Sequence, residues 1–312
     1  MKKGAFTLAE VLATLSVIGI VAALLIPSVI VNYKNHVFRT AHQTAKTMIA
    51  DATRNMVTID SRLNKAKSVE DENDDENNRS ANAVFIQDYL TKYIKFSKIC
   101  DPDSTNGIYS CGWSDEADYA EITSATRYKI PTKNSEVGFD GDDKMWAATT
   151  ANGMAMLIAY NPNCKNLDSA ASSNEDETTD VVSAPNYFNP KETACMNIVY
   201  DVNGTAAPNT FGKDVSFATV FYPKRAKVGL PVFANNIQFK SGISSYENAD
   251  KYCSELSSKK DMMLPTLEEA ASIYLNSKIM LNGTTNKKVW FSNANDEKFS
   301  SFSASEAVCV VR

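Results

Sequence analysis

The chain has 312 residues, of which 44% are hydrophobic and 22% are charged, and its formal net charge is −5. This length and apolar content suit one or two folded domains with a buried core and exclude a wholly disordered chain. The acidic balance offers no basic surface for nucleic acid, and His36 and His42 are too few for a histidine triad or a multi-histidine metal site.

The first predicted element is a membrane-spanning helix over residues 6–31. Between Phe6 and Val31 the sequence carries one charged residue, Glu10, and the run is long enough to cross a ~30 Å hydrocarbon core. We expect the C-terminal bulk to lie outside the cytoplasm, because long domains translocate largely regardless of local charge.

Glu10 is the unusual residue of this segment. A carboxylate inside an apolar span costs about 2.5–3.5 kcal/mol on insertion scales, so it needs a partner or a role. Two interpretations are open: the side chain reaches the lipid headgroups from a position near the interface, or it pairs with a positive group on another subunit.

The first twelve residues carry a family resemblance. Met-Lys-Lys-Gly-Ala-Phe-Thr-Leu-Ala-Glu-Val-Leu resembles the leader and cleavage region of type IV prepilins and type II secretion pseudopilins. The resemblance implies that residues 1–5 are a leader, that prepilin peptidase cuts between Ala5 and Phe6, and that the new amine of Phe6 is methylated. The family usually has Gly before the cut, so cleavage between Gly4 and Ala5 is an alternative that would move Glu10 out of register.

The resemblance also implies how such a chain assembles. Glu10 of one subunit can neutralise the terminal amine of its neighbour, and in a low dielectric this pair is stronger than a surface ion pair, although desolvation offsets part of the gain. Pro27 removes a helix hydrogen bond and predicts a kink or a local loosening. The implied partners are prepilin peptidase, other pilin or pseudopilin subunits, the inner-membrane assembly platform and membrane lipid.

Residues 32–66 are predicted to continue the helix in amphipathic form. Apolar residues recur there at helical spacing: Tyr33, Val37, Phe38, Ala41, Ala45, Met48, Ile49, Ala52, Met56, Ile59 and Leu63. Such a stripe favours packing of one helix face against a globular head. Residues 67–80 then form a predicted acidic loop, with Glu70, Asp71, Glu72, Asp74, Asp75 and Glu76.

Residues 81–225 are predicted to form a head with a helix followed by strands and turns. The chain has six dispersed cysteines without Cys-x-x-Cys spacing, which indicates disulfides and an oxidising compartment. Cys100 and Cys111 bracket a polar loop, so we expect a local disulfide between them. Cys164 and Cys195 flank a low-complexity stretch over residues 169–190, which their disulfide would tie at its base.

The segment 201–214 holds a candidate metal site. It contains Asp201-x-Asn203-Gly204, Pro208-Asn209 and Gly212-Lys213-Asp214. This series resembles a recurrent stretch in the heads of pilin-like proteins, and some pseudopilins bind calcium in a carboxylate-bearing loop there. The resemblance makes Asp201, Asn203 and Asp214 candidate oxygen ligands of calcium, while tight turns between strands are the alternative interpretation. No other cofactor is expected.

Residues 230–312 resemble the C-type-lectin-like domains at the ends of bacterial surface proteins. The resemblance rests on a helix with Tyr252-Cys253, a helix start at Leu264-Pro265-Thr266, a strand at Trp290 and the terminal Val308-Cys309-Val310. It implies a disulfide between Cys253 and Cys309. The Glu-Pro-Asn sugar-binding motif is absent, so the implied partner is an unknown surface ligand, either carbohydrate or protein.

Together these patterns predict an α+β fold. We expect a long N-terminal transmembrane and amphipathic helix packed on a disulfide-bonded β-rich head, followed by the C-type-lectin-like module. The expected function is a pilin-like subunit, minor because its head is large, of a type IV pilus or type II secretion pseudopilus. It would reside in the inner membrane before assembly and in an extracellular or periplasmic filament afterwards.

An alternative function uses the same membrane segment without assembly. The chain would then be an unprocessed, membrane-anchored surface binding protein with a lectin-like module. An enzyme is not expected, because the sequence has no Gly-rich phosphate loop and no metal-spaced cluster.

Overall fold

A computed structural model of the chain describes residues 8–60, 63, 66–69, 78–114, 119–120, 127–128, 130–137, 139, 143–165, 190–222, 232–233, 238–241, 246–260, 262–276, 290–291, 300–301 and 306–311. The chain divides into two compact units, residues 1–43 and residues 44–312. The predicted acidic residues 70–76 and the low-complexity residues 169–189 lie outside the described parts.

The described part of the first unit is helical. Helix α1 runs over Leu8–Asn55 and is followed by a wider π turn at Met56–Asp60. Its N-terminal half shows apolar side chains in all directions: Leu24, Leu25 and Ile26 are consecutive, and 73%, 57% and 54% of their surfaces are exposed. Because consecutive helical residues point about 100° apart, no face of this half is covered.

The C-terminal part of α1 belongs to the second unit and has one buried face. Ala45, Ile49, Ala52 and Met56 are all buried, at the spacing of three or four residues that the amphipathic pattern predicts. Three other predicted members of the stripe are exposed, namely Tyr33, Val37 and Ile59, whereas Leu63 is buried as predicted. The π turn that begins at Met56 explains the exposure of Ile59, because its wider repeat changes the direction of the side chains that follow.

The head begins with short helical turns and continues as strands. Helix α2 (Ala81–Val84) has a hydrogen bond from the Ala83 N–H to the Ser80 side chain at its start and leads into turns at Phe85–Tyr89 and Leu90–Lys92. The strands and the next helix are β1 (Phe96–Cys100), β2 (Tyr119–Ala120), β3 (Arg127–Tyr128), β4 (Trp146–Thr150), β5 (Ala155–Tyr160), α3 (Pro190–Thr193), β6 (Ala194–Asp201), β7 (Val215–Phe221) and β8 (Val232–Phe233).

Six of these strands form one antiparallel sheet in the order β1-β4-β5-β6-β7-β8. Strands β4 and β5 form a hairpin whose turn contains Asn152-Gly153, a residue pair typical of tight hairpin turns. Gly153 has a φ of 87°, a conformation that glycine adopts without a steric penalty. The short strands β2 and β3 pair separately from the sheet.

Both faces of the central sheet are buried, and each faces a different core. On β5, Leu157 points into the core that contains Trp113 and Phe217, whereas Tyr160 points into the core that contains Phe85 and Met56. The alternation of side chains along a strand places them on opposite faces. Helices α1 and α2 therefore cover one face, and Phe85 stacks on Tyr160 with ring centres 4.1 Å apart.

The C-terminal segment alternates short strands and helices. These are β9 (Gln238–Ser241), α4 (Tyr246–Lys260), β10 (Met262–Met263), α5 (Leu267–Leu275), β11 (Trp290–Phe291), β12 (Ser300–Ser301) and β13 (Glu306–Val311). Strand β13 lies between β10 and β9 in a three-stranded antiparallel sheet, and β11 pairs with β12.

Helix α5 contributes to the core on the second face of the large sheet. Ala270, Ala271 and Ile273 are wholly buried in the same cluster as Leu157 and Phe217. The C-terminal segment and the head sheet therefore share apolar packing. The C-type-lectin-like character of residues 230–312 stays a prediction.

The six cysteines form the three predicted pairs: Cys100–Cys111, Cys164–Cys195 and Cys253–Cys309. The first joins β1 to a turn at Gly107–Cys111, the second joins the segment after β5 to β6, and the third joins α4 to β13. A long helix, an antiparallel sheet and further helices make the chain an α+β protein, as predicted.

Candidate functional site

The residues predicted to function fall mainly in two regions, the N-terminal helix and the loop between β6 and β7. Ala5 and Phe6, the predicted cleavage residues, lie outside the described residues. Glu10 lies in the first turn of α1, and its side chain is exposed. A carboxylate at this position is favoured by the positive end of the helix dipole, by about 0.3–1 kcal/mol at an exposed site.

The hydroxyl groups of the apolar half of α1 bond within their own helix. Thr14 donates to the carbonyl of Val11 (2.9 Å), and Ser16 donates to that of Leu12 (2.8 Å). Such bonds remove the need for an external polar partner. Glu10 is the one charged residue of the sequence between Phe6 and Val31.

Helix α1 is the one helix among the described residues that is long and apolar enough to cross a membrane. Its helical structure continues through Pro27, although proline has no N–H for the carbonyl of Ala23. Ser28, the next residue, donates to the carbonyl of Leu25 at 2.8 Å. The predicted kink or loosening at Pro27 stays a prediction.

The second region is the β6–β7 loop, residues 202–214. Asp201 and Val215 form the last residue pair between the two strands, and the Val202 N–H donates to the carbonyl of Asp214 (3.0 Å) beyond it. The chain then makes tight turns in which Gly204 (φ 63°) and Asn209 (φ 49°) have left-handed backbones. The loop thus has the turns expected in the alternative interpretation, and these turns place its polar side chains.

Asp214 holds the loop in shape. Its side chain is wholly buried, and its two carboxylate oxygens accept separate backbone hydrogen bonds, from Asn209 at 2.8 Å and from Thr210 at 2.7 Å. Hydrogen bonds from neutral N–H groups to a buried carboxylate are charge-assisted and strong. Asp214 therefore fixes the position of Asn209.

Asp201 is also wholly buried, and its carboxylate lies against the backbone of the loop. Oδ1 accepts the N–H of Asn203 at 3.0 Å, and Oδ2 has no hydrogen-bond partner among the described residues. Burial raises the pKa of this carboxyl to about 8, and the negative charge of Asp214 adds to the rise. Hydrogen bonds from the backbone of Asn203 and Gly204 oppose it.

Two amide oxygens of the same loop are also buried without a hydrogen-bond partner among the described residues. Oδ1 of Asn203 and Oδ1 of Asn209 are buried and have no hydrogen-bond partner in the described parts of the chain. The Asn203 amide nitrogen is turned the other way and donates to the carbonyl of Ala206 at 2.9 Å. The loop therefore combines one carboxylate oxygen and two amide oxygens that accept no hydrogen bond.

Whether Asp201, Asn203 and Asp214 bind calcium stays a prediction. Asp201 and Asn203 each have one buried oxygen without a hydrogen-bond partner among the described residues, whereas both oxygens of Asp214 accept backbone N–H groups. Sequence reasoning did not choose Asn209, because an Asn after Pro is ordinarily a turn residue. Within the described residues no group of three or more His, Cys, Asp and Glu side chains is placed to hold a metal.

The C-terminal segment shows the predicted helix start but no described ligand site. The Thr266 N–H donates to Glu269 Oε2 (2.8 Å) and the Glu269 N–H donates to Thr266 Oγ1 (3.3 Å), which is a capping box at the start of α5. The polar residues that follow the Trp290 strand, at positions 292–299, lie outside the described residues.

No family model, curated protein or solved structure matches this chain. What the chain does must therefore be inferred from its own residues and geometry.

Proposed function

We propose that this chain is a pilin-like subunit, anchored in the inner membrane and assembled into a type IV pilus or type II secretion pseudopilus through its N-terminal helix. The observation that carries the proposal is the change in α1 along its length. Leu24, Leu25 and Ile26 are exposed in all directions, whereas Ala45, Ile49 and further residues at the same spacing are buried along one face.

An apolar helix that is exposed on all sides needs another environment than water. Each Å² of exposed apolar surface costs about 25 cal/mol in water, and monomeric soluble proteins rarely expose large continuous apolar patches. A lipid bilayer covers such a helix while all its backbone groups stay bonded internally. Neighbouring helices of the same kind cover it equally well in a filament.

Glu10 supports assembly in addition to anchoring. Cleavage between Ala5 and Phe6 would create a positive amine one helical turn before Glu10, on the same chain. When subunits stack with an axial offset, the carboxylate of one can meet the amine of the next. A simple anchor does not need a carboxylate in its apolar span, because a charged side chain there is costly unless it has a partner.

The head and residues 230–312 would then be carried outside the cytoplasm, where the three disulfides are stable. Its size favours a minor subunit that presents the head for adhesion or recognition. Residues 230–312 would supply the ligand-binding part, with carbohydrate or protein as the ligand class. The alternative, an unprocessed surface protein with the same anchor, predicts no cleavage and no role for Glu10.

Replacement of Glu10 tests the proposal. We expect Glu10→Val to stay in the membrane at the wild-type level but to be lost from sheared filaments, because the amine of the neighbouring subunit has no counter-charge. Thr14→Val, one turn further along, is the matched control, since the Thr14 hydroxyl bonds only within its helix in the structure. Normal incorporation of Glu10→Val, measured by immunoblot of the filament fraction, would contradict the proposal.

A further inference from the structure

The part of α1 that follows the apolar span carries positive charge that the proposed function does not use. Over residues 11–50 the sequence has Lys34, Arg39 and Lys46 but no aspartate or glutamate, although the whole chain has a net charge of −5. Lys34 and Arg39 are the first two charged residues after the apolar run ends at Val31. The sign of the charge along the chain therefore reverses where the span ends.

Lys34 and Arg39 have no counter-charge in the described parts of the chain. Both lie in α1 and are exposed, and neither side chain forms an ion pair or a hydrogen bond with another described residue. An exposed cation on a helix is often neutralised by an acidic residue three or four positions away, and the sequence has none at these distances. The charges of both side chains are therefore available to a partner outside the chain.

The helix geometry brings these charges to the surface of the bilayer. Lys34 lies about 4.5 Å along the helix axis beyond Val31, where the apolar run ends, and Arg39 lies about 12 Å beyond it. The headgroup layer of one leaflet is about 5–8 Å thick. Because helical side chains point toward the N-terminus of their helix, both of these long side chains reach back toward the headgroups at which the span ends.

Tyr33 supports the same placement. Its side chain is 70% exposed, and it lies between the apolar run and Lys34. Tyrosine is enriched at membrane–water interfaces, because its ring is apolar and its hydroxyl group is polar. The order of apolar run, tyrosine and cation therefore follows the order of hydrocarbon, interface and headgroup phosphate across one leaflet.

We infer that Lys34 and Arg39 bind the phosphate groups of anionic phospholipids in the headgroup layer at the C-terminal end of the span. Basic residues next to a span are attracted to anionic lipids. The two residues are five positions apart, which places them about 140° apart around the helix. Each therefore binds its own lipid. Lysine meets a phosphate as a point charge, whereas arginine binds two of its oxygens at once.

The inference rests on the membrane anchor of the proposed function, but on neither its cleavage step nor its assembly step. It adds the class of lipid that surrounds the anchor, which is a phospholipid with a net negative charge, such as phosphatidylglycerol. A zwitterionic headgroup such as phosphatidylcholine has its own cation beside the phosphate. This cation competes with Lys34 and Arg39, so the two lipids should be distinguished.

The test is competition between these two phospholipids for the full chain in detergent. The chain is freed of lipid and equilibrated with equal amounts of phosphatidylglycerol and phosphatidylcholine that have identical acyl chains, and native mass spectrometry counts the bound lipids. We expect about fivefold more bound phosphatidylglycerol. High salt during equilibration should reduce this preference, because ions screen exposed charges.

Inorganic phosphate distinguishes a lipid site from a site for the free ion. At constant ionic strength, an excess of phosphate over lipid should leave the preference for phosphatidylglycerol in place, because the acyl chains of the lipid add apolar contacts that the free ion lacks. Displacement of the lipid by phosphate would contradict the inference.

Variants that remove charge assign the two residues. Lys34→Gln and Arg39→Gln should each lower the preference, and the double variant should bind the two lipids equally. Glutamine has nearly the helix propensity of lysine and arginine, so α1 should persist. Exchange of the two residues, Lys34→Arg with Arg39→Lys, keeps both charges and should keep the preference. The matched control, Lys95→Gln with Arg54→Gln, removes the same charge from exposed positions elsewhere and should leave the preference unchanged.

Equal binding of the two lipids by the wild-type chain would overturn the inference, and so would an unchanged preference in the double variant. Loss of the preference in the control variant would show a general effect of net charge and would overturn it as well. None of these results depends on cleavage after Ala5 or on Glu10, so each leaves the proposed assembly standing. A chain that stays dissolved without detergent would instead contradict the membrane anchor of the proposed function.

Discussion

Asn197 of β6 and Asn276, directly after α5, meet in the core of the second unit. Their amides exchange two hydrogen bonds, of 2.8 and 3.0 Å, and the Thr219 hydroxyl donates to Asn197 Oδ1 at 2.7 Å. Ser272 completes the network by donating to Thr219 Oγ1 at 2.6 Å. All four side chains are buried, so this network specifies how α5 lies against the sheet.

Removal of one amide from this network should destabilise the second unit strongly. Asn276→Ala leaves the Asn197 amide with unsatisfied groups in the core, and we expect the free energy of unfolding to fall by about 2–3 kcal/mol. Urea denaturation of the detergent-solubilised protein with intact disulfides measures the change. The control is Asn163→Ala at an exposed position, where changes usually stay within about 0.5 kcal/mol.

A loss below about 0.5 kcal/mol in the free energy of unfolding of Asn276→Ala would show that the network does not hold α5.

The contact between Asn197 and Asn276 could not be predicted from the sequence, because the two residues are 79 positions apart and neither belongs to a motif. Asp201, Asn203 and Asp214, by contrast, lie in one short segment whose resemblance suggested calcium ligands, and their role stays a prediction. The left-handed backbone of Asn209 and its buried side-chain oxygen could not be predicted, because they are properties of the folded loop.

At the scale of elements, the sequence predicted buried helix faces and helix starts where it carries an apolar periodicity or a capping pattern. The amphipathic stripe predicted the buried face at Ala45, Ile49 and Ala52, and Leu264-Pro265-Thr266 predicted the start of α5 at Leu267. The π turn after Asn55 was not predicted, because the apolar spacing up to Ile59 continues as if the helix were regular. The strand order of the sheet also needs long-range pairing, such as β1 with β4, that no short window contains.

The capping box of α5 can be tested by itself. Thr266→Ala removes the oxygen that accepts the Glu269 N–H, and we expect the free energy of unfolding to fall by about 1 kcal/mol. Ser254→Ala on α4 is the matched control, because its exposed hydroxyl bonds back to the carbonyl of Lys251 and caps nothing. Equal effects of the two substitutions in thermal unfolding would contradict a capping role for Thr266.

At the scale of the whole molecule, the two units depend on different sources of stability. Residues 44–312 have their own apolar cores on both faces of a sheet and contain three disulfides. The described part of residues 1–43 has exposed apolar side chains. In the proposed function, lipid or neighbouring helices would cover these side chains.

The central claim is that the chain is processed and assembled, and the mass of its N-terminal peptide, taken from the native envelope, tests this most directly. The account predicts a chain that starts at Phe6 with a methylated amine, four positions before Glu10. A chain that still carries Met1 to Ala5 would contradict it and would identify a static membrane anchor instead.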